Sequence, residues 1–122
     1  MNYSQNNEQE IILNLFKGRT GTFLDIGAND GITLSNTYAL SLQGWKGLLV
    51  EASPKAYERL VKTYEGKDAE LQNVAIGGRD CDLSFHESGE LLGKGDVGLV
   101  SSAVPKPANI RIVHSLPRWP VA

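Results

Sequence analysis

Three side chains able to bind or balance charge crowd into one short stretch, Asp25-Ile26-Gly27-Ala28-Asn29-Asp30-Gly31. The carboxylates accept hydrogen bonds and offset a nearby positive charge, and Asn29 can do both donor and acceptor work. Gly27 and Gly31 bracket a turn in which a side chain would block close approach of a ligand. Two further groups belong with this stretch. Glu51 ends the apolar run Gly47-Leu48-Leu49-Val50, with Ser53 just beyond it, and Asn73-Val74-Ala75 lies toward the end of a third candidate strand. An acid at the carboxyl end of a buried strand stands where open α/β sheets bind ligands.

Strands and helices in alternation must position these groups. Phe23, Leu24 and Ile26 form an apolar run that predicts a strand covered on both faces. Before it, Asn7 with Glu10 predicts a capped helix start, with Ile11, Ile12, Leu15 and Phe16 on one face and Gly18 as the stop. Thr33 to Gln43 reads as a helix ended by Gly44, with Leu34, Tyr38 and Leu42 as its inner stripe. Trp45 is expected to pack at that helix end.

Ser53-Pro54 opens another helix, whose inner face is Ala56, Tyr57, Leu60, Val61 and Tyr64, and Gly66 follows its end. Glu70 to Ile76 is a third strand. The order strand, helix, strand, helix, strand implies parallel strands. Gly77 to Asp80 is a turn, so Cys81 to His86 is expected to return as an antiparallel strand at the sheet edge. Ser88 to Gly98 carries four glycines and reads as a loop. Pro105 and Pro107 add breaks, Ile110 to Val113 is one more short strand, and Pro117, Trp119 and Pro120 close an extended tail.

The 122 residues make one domain, divided as an N-terminal helix (1–20), a ligand-binding core (21–87) and a loop-rich tail (88–122). The fold class expected is α/β: a Rossmann-like three-layer sandwich of parallel strands with an antiparallel edge strand. The net charge of −2 and the lack of a basic stripe argue against a nucleic-acid partner. No apolar run reaches the length of a membrane span, and the polar stretch Met1–Glu10 carries no signal-peptide core, so a cytoplasmic location is expected. Cys81 is the single cysteine and has no disulfide partner within the chain. His86 and His114 read as surface histidines, Tyr38, Tyr57 and Tyr64 as core, and Arg79 and Lys94 as solvated. No metal site is expected, and no residue offers itself as a catalytic base.

Two cofactor classes compete for the glycine turn. The nicotinamide-dinucleotide fingerprint is G-x-G-x-x-G. Here Asn29 stands where a glycine is needed, and it would crowd a pyrophosphate. S-adenosylmethionine has no phosphate, and its charged end needs acceptors and a neighbouring carboxylate, which Asp25, Asn29 and Asp30 provide. A carboxylate at Glu51 can accept both ribose hydroxyls of an adenosyl group. In a parallel sheet the next strand would bring Asn73, Val74 and Ala75 beside an adenine ring, and Ser53 would face the adenosine.

The segments Thr22–Thr37, Gly44–Pro54 and Asn73–Gly77 together resemble the FkbM-type methyltransferases, over roughly residues 8 to 87. The resemblance implies a Rossmann-like, S-adenosylmethionine-dependent enzyme, usually an O-methyltransferase. By that likeness the cofactor loop falls on Asp25, Gly27, Asn29 and Gly31, the ribose-binding acid on Glu51, and the adenine border on Asn73 and Ala75. A small-molecule or glycan-type acceptor is implied. Members of the family run on through a central strand ending in an Asp-x-Glu-Gly-type segment, and nothing like it follows Ser88. The expectation is therefore a truncated member or one half of a larger assembly. Its first strand would keep an open, apolar edge through which the chain self-associates. The other classes are a non-catalytic fragment of the fold and a nicotinamide-binding domain.

Overall fold

The computed structural model describes residues 1–85 and 108–116. The expectations for His86, Lys94, the 88–98 loop, Pro105, Pro107 and the tail residues Pro117, Trp119 and Pro120 lie outside them. The elements in order are α1 (Glu8–Leu15), β1 (Thr22–Ile26), α2 (Tyr38–Leu42), β2 (Lys46–Val50), α3 (Pro54–Thr63), β3 (Ala69–Gln72), β4 (Ala75–Ile76), β5 (Cys81–Phe85) and β6 (Ala108–Val113). They form a mixed α/β structure with a parallel sheet ordered β1-β2-β3 and a small second sheet ordered β4-β6-β5. Among the described residues no helix is long and apolar enough to cross a membrane.

The parallel register pairs Phe23 with Gly47, Asp25 with Leu49, and Leu49 with Leu71. Because strand side chains alternate between faces, these residues share one face of the sheet. There Phe23 and Leu49 join Leu40, Leu60 and Tyr64 in the core, with Ile12, Leu13, Tyr38 and Tyr57 packed against them. All three helices thus contribute to a core on one side of the sheet. Gly47 is needed at this spot, because a β-carbon there would collide with the Phe23 ring.

The Ser53-Pro54 expectation holds in detail. Ser53 caps α3, its Oγ accepting the Ala56 N–H at 3.2 Å, and Pro54 takes the first helical position. Ala56, Leu60 and Tyr64 are buried, while Val61, placed on the inner face by its spacing, is exposed.

Several expectations need correction. β1 is not covered on both faces: Phe23 is buried, but Leu24 and Ile26 on the other face are 51% and 57% exposed. In α1 Ile12 and Leu13 pack against the core, Ile11 and Leu15 are exposed, Phe16 at the C-cap meets the Trp45 ring edge-on at 5.4 Å, and Asn7 makes no side-chain cap.

The helix expected from Thr33 begins only at Tyr38. Asp30 Oδ1 captures the N–H groups of Ile32 and Thr33 at 2.9 and 2.7 Å, and Ser35 Oγ accepts those of Thr37 and Tyr38. Side chains that take backbone donors in this way compete with helix formation. Leu34, with φ +54°, stands outside the helical conformation altogether, and both it and Leu42 are exposed.

The third strand is split in two. β3 ends at Gln72, and Ala75–Ile76 joins the other sheet, parallel to β6. Cys81–Phe85 does run antiparallel, but its partner is β6, which lies between it and β4. It is therefore not a hairpin partner at the edge of the main sheet.

Candidate functional site

Parallel pairing brings the carboxyl ends of β1 and β2 together, and the chain continues from β1 into the glycine turn. Gly27 and Ala28 both donate their N–H groups to Val50 O, at 2.8 and 3.0 Å. The next N–H, of Asn29, donates to Glu51 Oε1 at 2.7 Å, and the Ser53 N–H donates to Glu51 Oε2 at 2.8 Å. Glu51 is thus fixed through both carboxylate oxygens. Each oxygen accepts one of these N–H groups and retains a lone pair. Asn73 reaches the same place, its Nδ2 donating to the carbonyl oxygens of Glu51 at 2.8 Å and Ala52 at 3.2 Å. Asn29, Glu51, Ser53 and Asn73 therefore form one cluster.

The other expected residues are placed differently. Gly27 has φ +80° and open space where a β-carbon would project, so a ligand can approach the backbone there. Gly31 has φ +83°, but a β-carbon on it would come within 2.8 Å of Leu60 and Tyr64. Gly31 seats the turn on α3, and its role is in packing. Asp25 lies on the core face of β1, where its Oδ2 accepts the Thr37 hydroxyl at 2.6 Å. Ala75 belongs to the second sheet, paired with Ile112, and no described contact ties it to Glu51.

Beside β1 lies a cleft of about 560 Å³. Asp25, Gly27 and Asn29 line it, as do Leu24 and Ile26 from the exposed face, the 33–37 segment, and Gln5. The segment is strongly braced. Asp30 also accepts the Thr33 hydroxyl at 2.6 Å, and the Thr63 hydroxyl donates to Asp30 O at 2.7 Å. Burial pushes the Asp30 pKa up, but the Thr33 hydroxyl and the Ile32 and Thr33 N–H groups, with Arg59 nearby, outweigh it and hold the carboxyl below its usual value. Behind the cleft, burial raises the Tyr64 pKa, and the neighbouring Asp25 charge adds to the effect. The non-glycine φ values of Asn29 (+55°) and Leu34 (+54°) both fall on this cleft. Such conformations cost free energy and gather at functional sites.

Thr37, Ser35 and Gln5 also line the cleft, beyond the residues the sequence marks. The Asp30-x-x-Thr33 spacing carried a local signal for side-chain capture of the backbone. Nothing in the spacing marked the Asp25–Thr37 pair or brought Gln5 to the cleft. His114, expected at the surface, is exposed, and its Nδ1 lies 2.7 Å from Asp80 Oδ1 at the end of the second sheet.

Comparisons with protein-family models, curated protein sequences and solved structures returned no match.

Proposed function

We propose that this chain is a Rossmann-like S-adenosylmethionine-binding domain of the methyltransferase type, acting on an oxygen of a small-molecule or glycan-type acceptor. The observation that carries the reading is Glu51, held at the end of β2 by two backbone N–H groups with a lone pair left on each oxygen. That arrangement suits the two adjacent hydroxyls of a ribose. The open approach at Gly27 and the second Asp25 carboxylate oxygen fit the remainder of such a ligand.

Bound S-adenosylmethionine would supply an electrophilic methyl group on a sulfonium. The residues of this chain would do the positioning. Glu51 orients the ribose, Asn73 and Ser53 border the base, and Asp25 balances the positive charge at the amino-acid end. Leu24 and Ile26 give the cleft an apolar wall. In-line displacement needs donor and acceptor held near contact, and positioning of this kind supplies much of the rate.

The same geometry disfavours a nicotinamide dinucleotide. A pyrophosphate needs free N–H groups at the turn and a helix starting behind it. Here the N–H groups of Gly27, Ala28, Asn29 and Gly31 all bond to the protein, and the next helix starts only at Tyr38.

Thermal unfolding with S-adenosylhomocysteine tests the reading. Ligand at about 100 times its Kd adds roughly 2.7 kcal/mol, a midpoint shift on the order of ten degrees. A cooperative melt with no shift, or a larger shift with NAD, sinks the reading.

A further inference from the structure

We propose that residues 1–9 form a strap that holds the cleft in shape, and that Gln5 on this strap binds the carboxylate of the ligand's amino-acid end. The second part rests on the cofactor reading above. By composition this stretch is a polar chain end, yet Ser4 and Gln9 are buried. Both are well bonded. Gln9 Oε1 accepts the Tyr3 N–H at 2.7 Å, and Gln9 Nε2 donates to Met1 O at 2.7 Å. Ser4 Oγ accepts the Gln9 N–H at 3.2 Å and donates to Asn2 Oδ1 at 2.6 Å. A buried polar network that is satisfied fixes one conformation.

The strap is tied to the cleft through aromatic rings. Tyr3 meets Tyr38 edge-on at 4.8 Å between ring centroids, and Tyr38 meets Tyr64 at 6.2 Å. Edge-to-face pairs of this kind contribute beyond their buried area. Tyr38 opens α2 and directly follows Thr37, whose hydroxyl bonds Asp25. Moving Tyr3 therefore disturbs the residues that set the cleft wall. Gln5, next to buried Ser4, is exposed and lines the cleft.

The charge balance of the cleft gives Gln5 its role. Its described lining holds the Asp25 carboxylate and no lysine or arginine. Asp25 can take an ammonium group. A carboxylate on the same ligand then needs neutral donors, and the Gln5 carboxamide is one of them.

Two experiments on the intact chain test this. In the first, Gln5→Ala is titrated with S-adenosylhomocysteine and with 5′-methylthioadenosine, which lacks the amino-acid end. The expected result is a Kd about tenfold higher for the former, the loss of one hydrogen bond to a charged group, and an unchanged Kd for the latter. Equal affinities to wild type, or equal losses for both ligands, overturn the Gln5 contact. If the wild type binds neither ligand, the cofactor reading fails and the Gln5 contact falls with it. The strap is then decided by the second experiment alone.

That experiment is amide hydrogen exchange without ligand. Tyr3→Ala should speed exchange in Tyr38–Leu42 about tenfold, with α3 unaffected, and Tyr3→Phe should behave as wild type. Unchanged exchange in Tyr38–Leu42, or a uniform acceleration that includes α3, overturns the strap.

Discussion

The Glu51 carboxylate accepts the backbone N–H of Asn29, so the end of β2 holds the turn that leaves β1. The same carboxylate holds the Ser53 N–H at the start of α3. One side chain thus joins three segments at the point where the ligand is expected. A glutamine offers one oxygen in place of two and turns an N–H toward an N–H. Glu51→Gln should cost about 2 kcal/mol in chemical denaturation, the penalty of one unsatisfied donor. S-adenosylhomocysteine affinity should fall at least about tenfold, read by calorimetry. An unchanged affinity would remove Glu51 from the ligand site.

The two turn glycines should separate fold from binding. Gly31→Ala forces a β-carbon against Leu60 and Tyr64 and adds backbone strain, so a loss of about 3 kcal/mol is expected in denaturant midpoints. Gly27→Ala meets only the backbone term, about 1 kcal/mol, because nothing occupies the space beside it. Its larger effect should be on ligand affinity. If Gly27→Ala binds S-adenosylhomocysteine as wild type does, the ligand does not pass over that backbone.

Asp30 predicts an acid-sensitive element. Its folded pKa is lowered, so its stabilising contribution is present above the ordinary aspartate pKa of 3.8 and is lost as pH falls through the folded value. The local transition should appear in the amide signals of Ile32 and Thr33, whose N–H groups it accepts. Asp30→Ala should remove this pH dependence and cost about 1 to 2 kcal/mol at neutral pH, as the loss of a cap does. Identical acid titrations of variant and wild type would refute the assignment.

The outer edge of β1 predicts association. Lys46 N–H bonds Gly21 O and Gly27 N–H bonds Val50 O, so the odd-numbered residues of this stretch face β2. The backbone groups of Thr22, Leu24 and Ile26 then point away from it. Beside them stand the exposed side chains of Leu24 and Ile26, and an edge of this kind invites strand pairing. Ile26→Lys should lower self-association in sedimentation runs at rising concentration and leave the melting midpoint within a few degrees. A wild-type protein that sediments as a monomer throughout would count against pairing at this edge.

Local chemistry decided what was legible from the sequence. α3 was readable because Ser53, Pro54 and a helical apolar period all agree. The helix after the glycine turn starts later than its apolar period suggests, because Asp30 and Ser35 take the backbone donors its first turns need. The apolar run of β1 does not distinguish burial on two faces from burial on one. The third strand read as continuous because nothing in its apolar pattern marks the break. Asn73 turns its amide back to β2 there, and the chain then leaves for the second sheet. At the site, Asn29, Glu51, Ser53 and Asn73 followed from strand order alone, since parallel strands align their carboxyl ends. Thr37 and Gln5 reach the cleft through tertiary contacts that no local spacing encodes.

Asn73 has one more implication, for base selectivity. Its amide nitrogen spends both hydrogens on two carbonyl oxygens, which also fixes which way the amide faces. Only Oδ1, an acceptor, is left to meet the edge of a purine. A 6-amino group can donate to it, whereas a 6-oxo group would face it oxygen to oxygen. The inosine counterpart of S-adenosylhomocysteine should therefore bind more weakly by about tenfold or more. Asn73→Asp, which presents oxygens to the two carbonyls, should lose both that preference and the join between β2 and β3.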